Sequence, residues 1–110
     1  MGEESHDMKG RIIKPAELVS YQDGSVVSRM ITYTPQGTIT VFAFAAGSGL
    51  SEHTAPFDAV LQVLEGVAEI TLAGENFLVG SGDMIILPAN IPHAVHASVS
   101  FKMILTMIHA

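Results

Sequence analysis

The side chains in this sequence best equipped for chemistry are its five histidines, because imidazole binds transition metals, moves protons and hydrogen-bonds through two nitrogens near neutral pH. His53 and His93 stand 40 positions apart, the first running into Ala55-Pro56 and the second following Ile91-Pro92. His96 comes three residues after His93, so on a strand it points to the opposite face and cannot share a ligand with it. His6 and His109 lie near the two ends and are expected in solvent, without a role. Asp58 is a candidate general base, weighed against plain solvation, which is the commoner fate of an acid opening a strand. Glu52 and Glu65 flank turns and are read as facing water. Met30, Met84, Met103 and Met107 either line an adaptable apolar cavity or simply fill the core.

Other chemistries are excluded. With no cysteine, disulfides, thiolate metal centres and cysteine nucleophiles are absent, and a reducing cytoplasm suits the chain. No Ser, His and Asp grouping stands out, and Gly47, Gly49, Gly80 and Gly82 have no helix after them to complete a phosphate cradle. Without tryptophan or an aromatic-basic ladder there is no platform for stacking bases. Five Lys and Arg against eleven Asp and Glu give a formal charge of −6, the wrong sign for nucleic acid. The longest apolar runs, such as Val41 to Ala46, fall far short of the roughly 20 residues of a membrane span, and the first residues carry no signal-peptide core. A cytoplasmic protein with neither nucleic-acid nor membrane partners is expected.

The elements that must position these side chains are short. Residues 1–14 lack apolar periodicity and read as a lead-in with a first anchor at Arg11, Ile12 and Ile13. Pro15 opens a run, Ala16 to Val19, that allows one helical turn. From there the chain breaks into β-rich runs separated by turn residues: Asp23-Gly24, Pro35-Gln36-Gly37, Gly47-Ser48-Gly49, Glu65-Gly66, Gly74-Glu75-Asn76, Gly80-Ser81-Gly82 and Pro88-Ala89-Asn90. Such punctuation predicts an all-β sandwich or barrel over residues 15–110, one domain in a chain of 110 residues. Between Val67 and Leu72, Ala68, Ile70 and Leu72 share the core face while Glu69 and Thr71 face away. In Phe101 to Ile108 one face carries Phe101, Met103, Leu105 and Met107, but Ile104 and Ile108 make the other apolar too. That strand needs cover on both sides, from the N-terminal segment or from another subunit, and a two-fold homodimer is the simplest provision.

Two stretches carry a resemblance. Residues 47–66 place Gly47, His53 and Gly66, and residues 82–97 place Gly82, Pro88 and His93, in the order and spacing of the two halves of the cupin signature. The sequence is similar to small single-domain cupins of the conserved-barrel type, which implies a double-stranded β-helix, a jelly-roll barrel, behind a short N-terminal segment. The family typically holds a divalent metal inside the barrel with three histidines and a glutamate. Here the second histidine falls on Ala55, the glutamate on Ala59, the late glycine on Asn90 and the last asparagine on Ala97. Asparagine tolerates the left-handed backbone, whereas a methyl group supplies no ligand.

The expected site is therefore a small-molecule pocket inside the barrel, with His53 and His93 as polar contacts and Ala55, Ala59 and Leu61 as apolar lining. A weakly held divalent transition metal on His53 and His93 (zinc, nickel, iron or manganese) is the metal implied by the resemblance. The alternative is a metal-dependent enzyme of oxygenase or isomerase type, with water or substrate completing the shell. Neither the reaction nor the ligand follows from the fold.

Overall fold

The computed structural model describes residues 8–109, so His6 and the first half of the lead-in lie outside the described residues. One turn of 3-10 helix at Pro15–Glu17 begins on the proline, as expected of a residue whose missing N–H costs nothing there. Nine strands follow: β1 Val26–Thr34, β2 Gly37–Phe44, β3 Gly49–His53, β4 Asp58–Glu65, β5 Val67–Leu72, β6 Glu75–Gly80, β7 Met84–Leu87, β8 His93–His96 and β9 Phe101–Ile108. They form two antiparallel sheets, one ordered β1-β2-β9-β4-β7 and the other β3-β8-β5-β6. This is the all-β jelly-roll expected, a double-stranded β-helix.

The alternation read from the sequence decides which side of each sheet is core. Ala68 and Ile70 on β5 are buried with Phe44, Ala59, Leu61, Val63, Val95, Phe101 and Met103 between the sheets, and the rings of Phe44 and Phe101 stack at 4.6 Å. Along β9, Phe101 and Met103 are sealed while Leu105 and Met107 are only half-buried. The barrel is thus closed at the Phe44–Phe101 end and open at the other.

The second apolar face of β9 is covered in part from within the chain. Ile104 joins Val41 and Ala43 on the outside of the five-stranded sheet, where Leu18, Val19, Val27, Ile31 and Leu64 pack over them. Of the expected anchor at Arg11, Ile12 and Ile13 only Ile13 is half-buried: Ile12 is 99% exposed, and among the described residues the first fully buried side chain is Val19. Two polar contacts fix this cover. Lys102 Nζ donates to the Ala16 carbonyl (2.6 Å) and sits 5.1 Å from the Tyr21 ring centre, and the Tyr21 hydroxyl donates to Glu65 Oε2 (2.6 Å). Partial burial, then the bond to Glu65 and its charge, pushes the Tyr21 phenol well above its ordinary range, which keeps it a donor. Glu65, expected to face water, is therefore engaged. Ile108, Met84 and Ile86 on the same outer side remain about half exposed.

One turn is displaced from its expected place. Gly74-Glu75-Asn76 is not the connection between β5 and β6; Leu72 pairs directly with Glu75, and the two-residue turn is Ala73-Gly74. Both central residues have positive φ, 51° and 82°, the pattern of a type I′ hairpin whose twist matches the strands. Gly66, at φ +78°, cannot be replaced easily, because a Cβ there would lie 2.8 Å from Phe101 Cβ.

Candidate functional site

The site is assembled by register. His53 and His93 are direct cross-strand partners on β3 and β8, His93 is in turn opposite Leu72 on β5, and Leu72 is opposite Glu75 on β6. Directly opposed residues share a face, and Leu72 belongs to the barrel core. His53, His93, Leu72 and Glu75 therefore form one row across the inner face of the four-stranded sheet. On the five-stranded sheet the corresponding row is Thr38, Met107, Ala59 and Leu87. Both rows sit at the open end: the segment joining Leu87 to His93 is short, and it is tied back by the Asn90 N–H to the Ala55 carbonyl (2.7 Å) and the Ala89 N–H to Asp58 Oδ1 (2.8 Å). Asn90 accepts the left-handed conformation, with φ 66°, that this segment requires.

The two imidazoles meet edge to face, with ring centres 4.4 Å apart and planes at 65°. His93 is buried, 7% exposed, whereas His53 stands at the exposed rim. Each ring has its Nδ1 against a carbonyl two residues back along the chain: Ser51 O for His53 (2.7 Å) and Ile91 O for His93 (3.2 Å). A carbonyl only accepts, so Nδ1 carries the proton. In the neutral ring Nε2, on the far side from the backbone, then holds a free lone pair.

The remaining residues named from the sequence fall into place around this pair. Ala55 is half-buried in the segment between β3 and β4, Ala59 is 3% exposed in the row facing the histidines, and Leu61 is fully buried one row deeper, opposite Leu105 and Ile85. Asp58 points outward and its carboxylate is occupied by the Ala89 N–H, which makes it a brace for the mouth. His96 faces away from His93, opposite Gly49 and Glu69. The four methionines divide: Met103 is core, Met107 lines the mouth, and Met30 and Met84 border recesses of about 390 and 370 Å³ that lie elsewhere, beside the N-terminal segment and between β6 and β7.

Two features were not anticipated. His109, expected in solvent, is half-buried; its ring stacks on Phe57 at 4.2 Å and its N–H bonds the Gln36 carbonyl (2.8 Å). Continued alternation after Met107 would have placed it on the inner side. Glu75 joins the histidine row, and it was hidden by assigning it to the turn; reading Ala73-Gly74 as the two-residue loop puts it opposite Leu72.

A divalent metal held by nitrogen and oxygen ligands does not fit this donor set. Firm retention takes three or more protein ligands, and the mouth offers two imidazoles beside two alanines. Among the described residues no three His, Cys, Asp or Glu side chains come together to hold an ion. No helix among them is long and apolar enough to cross a membrane.

Comparison with known proteins places the barrel in a wide group. Residues 40–109 match the family model described as a cupin domain. A conserved protein of unknown function from Streptococcus pyogenes is 30% identical, over 96% of this chain and 92% of its own, with a TM-score of 0.88. A cupin 2 conserved barrel domain protein from Leptotrichia buccalis is 40% identical over 84% of this chain, which spans only 45% of that protein, with a TM-score of 0.82. A salicylate 1,2-dioxygenase mutant from Pseudoaminobacter salicylatoxidans, 20% identical over 76% of this chain and 26% of its own, has a TM-score of 0.69, a likeness of fold alone. No curated protein matches the chain.

Proposed function

Because the chain belongs to the cupin family, we propose that it is a small-molecule-binding cupin whose ligand enters the open barrel mouth and is oriented by His53 and His93. Ala55 and Ala59 widen the apolar wall where family members place ligands, and Leu61 forms the floor. The observation that carries this reading is the converging imidazole pair, with ring centres at 4.4 Å and both Nδ1 atoms held by backbone. An imidazole pair fixed in this way presents two Nε2 atoms to whatever enters the mouth.

A His53→Ala variant tests it. Ring signals of His93 followed by NMR during titration with small-molecule libraries should move in the parent protein and stay still in the variant. Movement in both, or in neither, rejects the reading.

One feature favours the metal-dependent alternative. Metal-ligating histidines usually donate their second nitrogen to a carbonyl or carboxylate, as both rings do here. Metal analysis of protein purified without a histidine tag separates the two: near-stoichiometric zinc, nickel, iron or manganese would promote the enzyme, and traces only are expected. A cytoplasmic homodimer completes the proposal, the second copy covering the outer-face side chains Met84, Ile86 and Ile108, which are 57%, 56% and 47% exposed. Light scattering across a concentration series should give twice the chain mass of 11.7 kDa; a monomer at high concentration would refute the dimer.

A further inference from the structure

The histidine row at the barrel mouth presents acceptors. With Nδ1 of both rings donating to Ser51 and Ile91 carbonyls, His53 and His93 offer Nε2 lone pairs. Glu75 ends the same row as an exposed carboxylate. Two strand spacings separate it from His93, roughly 10 Å between Cα atoms. Among the described residues the strand-borne basic side chains point the other way: Arg29 is opposite Val41 on the outer face, and Lys102 Nζ is bound to the Ala16 carbonyl. The chain as a whole carries −6, which draws cations toward it and repels anions.

From this arrangement we infer that the mouth binds an organic cation, a primary ammonium on a short apolar body, in the space where related barrels would hold a metal. The inference rests on the small-molecule reading of the same mouth and narrows its ligand class. An ammonium needs acceptors and not a closed coordination shell. Two of its three N–H groups reach the two Nε2 atoms, and its charge is favoured by Glu75 in the same row. Charge-assisted hydrogen bonds of this kind are about twice as strong as neutral ones. The apolar body lies over Leu72 and Met107, and Ala59, opposite Met107, adds only a methyl group to that wall. A carboxylate or phosphate meets the two Nε2 lone pairs and the Glu75 charge in this row and is disfavoured.

The probe is benzylamine, titrated by calorimetry and by NMR of the histidine rings at low salt and about pH 8, where an alkylamine is cationic. Benzyl alcohol, benzoate and benzyltrimethylammonium are the comparators. Benzylamine should bind about tenfold or more tightly than benzyl alcohol and shift both rings, the amount expected of a hydrogen bond to a charged group. Benzoate should not bind, and benzyltrimethylammonium, which has the charge but no N–H, should bind about tenfold more weakly than benzylamine. His53→Ala, at an exposed position, should weaken benzylamine about tenfold, and Glu75→Gln should weaken it roughly threefold at low salt while leaving benzyl alcohol unchanged. If benzyl alcohol or benzoate shifts the rings as strongly as benzylamine, the mouth is a ligand site and the cation assignment is wrong. Equal binding of benzyltrimethylammonium, or benzylamine affinity indifferent to His53→Ala and Glu75→Gln, also overturns it. Ring signals untouched by every probe reject this inference and the small-molecule reading together.

Discussion

His53 and His93 share one register position but not one environment, and the difference can be measured. His93 is 7% exposed and holds the Ile91 carbonyl, so His93→Ala leaves a buried space and an unpaired acceptor. A cost of about 2 kcal/mol in chemical denaturation is expected. His53 is exposed, and His53→Ala should stay within about 0.5 kcal/mol of the parent. Equal costs would mean that the two rings are not divided between rim and interior as described. The alanines are open to a converse experiment. Ala59 is buried in the row facing the histidines and Ala55 is braced by Asn90 beside them. Ala55→His combined with Ala59→Glu should therefore raise affinity for zinc by orders of magnitude over the parent, read by competition with a chelator. No gain would place these positions away from the rings.

Hairpins and turns decide what such residues can reach. Ala73 occupies φ 51° in the first position of a type I′ turn, a conformation that costs a residue with a Cβ roughly 1 kcal/mol and that asparagine tolerates better. Ala73→Asn should stabilise the protein by about 0.5–1 kcal/mol, seen as a higher denaturant midpoint with an unchanged slope. The same turn shows where sequence reading succeeded and where it stopped. Alternation in Ala68-Glu69-Ile70-Thr71-Leu72 identified the strand and its buried face correctly, because period-two burial is written into residue types. Which two of Ala73, Gly74, Glu75 and Asn76 make the turn is not, since alanine is a poor marker of positive φ, and the one-residue error concealed Glu75. Leu18 and Val19 posed a different difficulty: hydropathy says they need cover, but only the folded sheet shows that Val41, Ala43 and Ile104 supply it. The histidine pair was legible because spacing from Gly47 and Gly82 fixed the register of both motifs. His109 was not, because its position near the end of the chain suggested solvent and nothing in its neighbours signalled the Phe57 ring.

For the molecule as a whole, the most consequential feature is the place of β9. It lies in the middle of the five-stranded sheet, between β2 and β4, with Gly37 opposite Ile108 at one end of the ladder. Until residues 101–108 are available, β2 and β4 have no common neighbour, and the β1–β2 hairpin and the β4–β7 pair are two fragments with facing unpaired edges. Closing that gap joins residues 57 to 71 positions apart along the chain, so loop entropy is spent before most of the apolar surface is sealed. Refolding should accordingly occupy milliseconds to seconds rather than microseconds, measured by stopped-flow from denaturant. A microsecond phase accounting for the full amplitude would contradict it. During translation the consequence is sharper: the strand that completes the sheet is made after the other eight, and two sticky edges wait for it, which makes the interval before it emerges the period when this domain is most exposed to self-association and most dependent on chaperones.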